Sequence, residues 1–118
     1  MMVPGIVVAI LVVLFLGVKA VRASRLISPE DAQYLLKKGG LLVDVRTREE
    51  FSANHIPQAR NIPFDQLLRR KAELGRGHLV IYAEHGDESS KAAQLLRGTG
   101  LTKVHDLGAM SRWKPAHG

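Results

Sequence analysis

The sequence predicts an α/β domain, a parallel sheet flanked by helices, preceded by one N-terminal transmembrane helix. Three observations carry the architecture. Short apolar runs at 41–45 and 78–83, and a third stretch at 102–107, have strand length and alternate with helical patterns. Glycines at 39–40, 75, 98 and 100 stop those helical patterns where the next run begins. Residues 1–18 carry no charged side chain. Strands that alternate with helices are joined by right-handed crossovers, and such crossovers make the pairing parallel.

The first element is the uncharged segment. Its centre, Ile6 to Leu16, is apolar on every face. Eighteen helical residues at ~1.5 Å each span roughly 27 Å, close to the ~30 Å hydrocarbon thickness of a bilayer. A domain of this size has no interior able to enclose such a helix. Lys19, Arg22 and Arg25 follow the run, and the positive-inside rule places them in the cytoplasm with the N-terminus outside. The expected organisation is an anchor in the lipid bilayer at 1–22, a basic linker at 23–27, a folded domain at 28–114 and a tail at 115–118. The expected location is a single-pass membrane protein with a cytoplasmic domain. The rival is export after signal-peptide cleavage, since Val21-Arg22-Ala23 resembles a cleavage site, although positive charge before the apolar run is missing.

The remaining elements follow in order. Ser28 N-caps a helix, Pro29 suits its first turn, and Asp31 takes the capping-box position. Ala32, Leu35 and Leu36 form its apolar stripe. Leu41 to Val45 reads as a buried strand. Thr47 to Ser52 predicts a short helix, and Pro57 and Pro63 bracket an irregular stretch. Phe64 to Leu74 predicts a helix with Leu67, Leu68 and Leu74 inward and Arg69, Arg70 and Lys71 outward. His78 to Ala83 is a second central strand. Ser89 to Arg97 is a helix, and Thr102 to Leu107 a third strand.

Composition excludes several function classes. The chain has 118 residues and a formal charge of +6, but from Leu26 onward the basic and acidic residues number 14 and 11. That mild balance, with three Phe, two Tyr and one Trp, gives neither an electrostatic footprint nor a stacking platform for nucleic acid. The absence of cysteine excludes disulfides, thiolate metal sites, thiol catalysis and lipoprotein anchoring.

Two segments carry a family resemblance. Leu41-Leu-Val-Asp44-Val-Arg46, then Glu50-Phe51, His55-Ile56-Pro57 and Asn61-Ile62-Pro63, resemble the first signature of rhodanese-like domains. Tyr82, Gly86, Ser89 and the closing Leu107-Gly108 to Trp113 resemble the second half. The resemblance spans Leu26 to Trp113. It implies the fold, and it implies that the active-site loop corresponds to Ala83, Glu84, His85, Gly86, Asp87, Glu88 and Ser89. It also implies that Asp44, Arg46, Glu50 and His55 are structural, the first three bracing the strand-to-helix turn. The chain departs from the pattern at four places: Ala83 stands at the catalytic cysteine, Asn54 and Gln58 replace glycines, and Ala109 replaces the second of two glycines. Asn tolerates a left-handed backbone and is the milder change.

A rhodanese-type reaction passes sulfane sulfur through a cysteine persulfide. Ala83 has no lone pair and no ionisable group, so this chain has no catalytic residue for that step. Ser89 and Ser90 have no paired general base of the serine-hydrolase kind. Glu84, Asp87 and Glu88 surround a helix N-terminus that would otherwise attract anions. Each carboxylate costs a nearby anion ~1 kcal/mol in water, against ~0.3–1 kcal/mol gained from a helix N-terminus. Thiosulfate, phosphate and arsenate are therefore poor candidate ligands. The same carboxylates serve equally as helix caps facing water. Glu84, His85, Asp87 and Glu88 are also potential metal ligands, but their spacing matches no familiar site; no metal and no cofactor are expected. Arg69, Arg70 and Lys71 suit a solvated helix face better than a contact with anionic headgroups. The expected function is a membrane-anchored, catalytically inactive module that binds, scaffolds or regulates a protein partner of unknown identity. The alternative is a component of a thiosulfate sulfurtransferase-like pathway that relies on a partner's cysteine.

Overall fold

The computed structural model describes residues 25–114. The expected anchor at 1–22, its rival cleavage site and the tail at 115–118 lie outside them. Among the described residues no helix is long and apolar enough to cross a membrane.

The described residues form a four-stranded parallel sheet with helices on both faces. The strands are β1 (Leu41–Asp44), β2 (Arg60–Asn61), β3 (Leu79–Ala83) and β4 (Val104–Ala109). Their order is β2-β1-β3-β4. The helices are α1 (Pro29–Lys37), α2 (Arg48–Ala53) and α3 (Gly86–Gly98), with 3₁₀ turns at Phe64–Gln66, Lys71–Leu74 and Met110–Arg112. β1 and β3 lie side by side, Leu42 opposite Val80 and Val43 opposite Ile81. This is the central pair that the two longest apolar strand runs predict. Because side chains alternate across a strand, Val43, Ile81 and Ala83 face α3 while Leu42, Val80 and Tyr82 face α1. Ala92, Ala93 and Leu96 of α3 close the first face, and Ala32 of α1 the second.

Several sequence expectations need correction. Phe64 to Leu74 is not one helix but two 3₁₀ turns joined at Leu67 to Arg70. Leu67 and Leu74 are buried as expected, but Leu68 is 54% exposed. The 3₁₀ pitch eclipses residues three apart, so an inward stripe drawn for 3.6 residues per turn fails here. β2 lies inside the stretch expected to be irregular. Two residues suffice for it because Arg60 and Asn61 pair with Val43 and Asp44. β4 begins and ends two residues later than expected, and its bulge against Ile81/Tyr82 brings Gly108 opposite Tyr82. Asn54 has φ −170°, an extended backbone open to any residue, so nothing there needs a glycine. Ala109 likewise has φ −71°. Gln58 is different: its φ of 74° is the only positive value outside glycine among the described residues.

Candidate functional site

In a parallel sheet the carboxyl ends of the strands form the natural binding edge, and here β1 and β3 both end there. β1 delivers Asp44 and, two residues on, Arg46. Asp44 is fully buried and Arg46 is 7% exposed. Asp44 Oδ1 accepts from the Arg46 backbone N–H at 2.8 Å, and Arg46 Nη2 reaches Oδ2 at 2.9 Å. The Arg46 guanidinium also donates to the Asn54 carbonyl. The amide of Asn61 donates to the carbonyls of Asp44 and Arg46 at 3.1 and 3.0 Å. The buried charge thus has a partner on every side, as burial of an ion pair demands. Burial alone would favour a neutral Arg46, but the hydrogen bonds and charge of Asp44, helped by Glu84, hold its pKa above the usual arginine value.

Glu50 holds the strand-to-helix turn from the helix side and makes no hydrogen bond to the Asp44–Arg46 pair. It completes a capping box on α2: the Thr47 backbone N–H donates to Glu50 Oε1 at 3.1 Å, and the Glu50 N–H donates to the Thr47 hydroxyl at 3.2 Å. The Thr47 backbone donor and then its hydroxyl hold the Glu50 carboxyl below its ordinary pKa. His55 lies one helical turn after Phe51. Its Nδ1 is 2.8 Å from the Phe51 carbonyl, and its ring stacks on Phe51 with centroids 3.7 Å apart.

β3 ends at Ala83, which is 1% exposed and packs in the core against α3. The junction that follows is shorter than the sequence suggested. His85 is extended and N-caps α3, which starts at Gly86 and not at Ser89. The loop is therefore only Glu84 and His85. Asp87 and Glu88 occupy the first helical turn, where a carboxylate is favoured by the helix dipole. Ser89 is fully buried, and its hydroxyl donates to the Gly86 carbonyl at 2.9 Å, inside the helix instead of across the cap. Gly86 and Asp87 keep the backbone N–H groups that no intrahelical carbonyl can satisfy. Glu84 turns back toward β1 and accepts from Arg46 Nη1 at 3.2 Å. One of the three carboxylates that ring the junction is thus already paired. Among the described residues no group of three or more His, Asp or Glu is arranged to hold a metal ion, and Glu84, His85, Asp87 and Glu88 do not converge on one.

Sequence reasoning missed three polar groups near this edge. Tyr82 is fully buried and its hydroxyl accepts the Ile56 backbone N–H at 3.1 Å, tying β3 to the turn before Pro57. Burial, then the nearby Asp44, raises the Tyr82 pKa, so it stays a neutral phenol. Asn61 was read only as part of a motif. Asp106 is 5% exposed on β4, and its Oδ1 accepts the Gly108 N–H at 2.8 Å. Its signal was present in the sequence as the one acid in the strand stretch 102–107. Gly108 itself has φ 89°, and a Cβ there would sit 3.2 Å from Arg112 Cδ.

Residues 28–116 match the family model described as the rhodanese-like domain. Among curated proteins, a thiosulfate sulfurtransferase GlpE of Pseudomonas syringae is 35% identical over 94 residues, covering 77% of this chain and 88% of that protein. The protein YqhL of Bacillus subtilis is 42% identical over 74 residues, and the match covers 61% of this chain but only 59% of YqhL. Among solved structures, the human single-domain sulfurtransferase TSTD1 superposes with a TM-score of 0.65 at 30% identity, covering 79% of this chain and 99% of that one.

Proposed function

The chain belongs to the rhodanese-like domain family, and from that premise we propose that it is a catalytically silent member acting as a binding, scaffolding or regulatory module. One observation carries this reading. The position the family fills with its sulfur-carrying cysteine is Ala83, whose methyl group is buried against α3. A methyl group cannot attack a sulfane sulfur or hold one as a persulfide. The chain has no cysteine elsewhere to move into the role. What remains at the edge is a recognition surface: two open backbone N–H groups at Gly86 and Asp87, bordered by His85 and by the carboxylates of Asp87 and Glu88. In this proposal the segment 1–22 tethers that surface to a membrane, and its occupant is a protein partner.

Cyanide-dependent thiocyanate formation from thiosulfate tests the reading. The purified chain should give no rate above the uncatalysed background; turnover by the cysteine-free protein would overturn it. A rate that appears only with added cell extract would instead assign sulfur transfer on a partner's cysteine. The variant Ala83→Cys reports on the junction. Its thiol should alkylate slowly at pH 7, because the neighbouring carboxylates disfavour the thiolate. Adding Glu88→Arg replaces a repulsion of ~1 kcal/mol with an attraction and should speed alkylation several-fold. Equal rates in the two variants would show that Glu88 faces away from position 83.

A further inference from the structure

At the opposite end of the sheet, two histidines outside the site meet head to head. His78 immediately precedes β3, and His105 is the second residue of β4. The register pairs Val80 with His105, so His78, two residues before Val80, lies on the same face of the sheet. Nδ1 of His78 is 2.9 Å from Nε2 of His105. The ring centroids are 5.2 Å apart with planes tilted by 33°. The two backbones are fixed: the His78 carbonyl accepts from Leu41 at 2.9 Å, and Leu79 donates to Lys103 at 2.9 Å. The rings themselves are accessible, His78 exposed and His105 half-buried.

We propose that His78 and His105 form a two-histidine site for a divalent transition metal of tetragonal preference, Cu2+ first and Ni2+ more weakly. Two imidazole nitrogens, each ~2.05 Å from a metal, stand about 2.9 Å apart at a right angle and about 3.3 Å apart at a tetrahedral angle. The observed separation, set by the hydrogen bond between the rings, is within reach of the first. Metal entry replaces that hydrogen bond and requires both rings to reorient so that their lone pairs aim at one point. The selection comes from the two imidazole donors, whose affinity for divalent metals peaks at Cu2+. The other coordination positions open to solvent and take water. The positive charge of Arg97, which acts on His105, opposes ions held by charge alone, such as Ca2+ and Mg2+. Arg97 is occupied, donating to the Val104 carbonyl at 2.9 Å. A metal bound through imidazole nitrogen, with affinity rising to Cu2+ along the divalent series, is the class that fits.

The test is calorimetric titration of the full-length, untagged chain with Cu2+, with electron paramagnetic resonance on the bound form. The chain has five histidines, so three serve as controls. One Cu2+ per chain should bind with a Kd on the order of micromolar, and its spectrum should show coupling to two imidazole nitrogens. His78→Ala and His105→Ala should each weaken binding at least about tenfold, because each removes the chelate. A variant with His55, His85 and His117 all changed to Ala should bind as the parent does. Circular dichroism confirms that every variant is folded. Failure to bind Cu2+ below millimolar concentration would overturn the proposal. Loss of binding in the triple control would overturn it too, as would an unchanged spectrum in His78→Ala,His105→Ala.

Discussion

Gln58 holds a backbone conformation that its side chain disfavours. Its φ of 74° is left-handed, where a Cβ crowds the following carbonyl at roughly 1–2 kcal/mol. The family resemblance puts a glycine there, and the turn still takes the glycine shape without one. Gln58→Gly should therefore raise stability by about 0.5–1 kcal/mol after the added freedom of the unfolded chain is subtracted, a gain of several degrees in Tm. A thermal melt at or below the parent's would show that the turn relaxes around Gln58. Asp106 tells a different story at the same scale. Burial holds its carboxyl above the ordinary pKa of 3.8, while Ser89, the Gly108 N–H, Arg97 and Arg112 pull it partly back. The folded state thus binds this proton more tightly than the unfolded chain does. Its stabilising contribution is fully present below 3.8 and is lost as pH rises through the raised native value. Asp106→Asn does not titrate, so the parent's stability relative to this variant should fall as pH rises above 3.8 and level off once the native carboxyl has ionised. Urea unfolding at several pH values measures the difference; a flat or rising trend would contradict the burial argument.

At the scale of elements, β1 and β3 carry the fold and set the site. Their side chains at 43, 80, 81 and 82 are fully buried, which leaves no solvent face to absorb a charge. Val80→Asp buries an unpaired carboxylate at a cost of several kcal/mol against a total stability of ~5–15. Soluble expression of folded domain, with a cooperative melt near the parent's temperature, would refute the central placement of β3. The junction from β3 to α3 shows how an element boundary alters chemistry. Because α3 starts at Gly86, Asp87 and Glu88 join its first turn, where the dipole favours them, and do not line a longer loop. Glu84 meanwhile reaches Arg46, two residues beyond the end of β1. Three acids within five residues of sequence therefore have two different environments.

For the whole molecule, the proposed topology is an anchor at 1–22 with the domain on the cytoplasmic side, motivated by Lys19, Arg22 and Arg25 after an uncharged span. A C-terminal fluorescent reporter that matures only in the cytoplasm should glow. Active alkaline phosphatase at the same position, or a mature chain beginning at Ser24, would instead establish export.

The sequence by itself determined the family, the alternation of strands and helices, the central pairing of the runs at 41–45 and 79–82, and the lack of a nucleophile at position 83. These follow from short-range pattern and from residue chemistry, which do not depend on distant contacts. The two-residue β2 was hidden because its pairing comes from β1 and not from its own composition. The broken helical stretch at 64–74 was hidden because tertiary anchoring of Leu67 and Leu74 overrode its helical spacing. Only the tertiary structure joined Glu84 to Arg46, placed the Tyr82 hydroxyl under the Ile56 amide, and brought His78 to His105. The separations in those pairs are 38, 26 and 27 residues. Parallel pairing creates such contacts, because each crossover returns the chain to the same edge of the sheet only after a helix or a long connection has intervened.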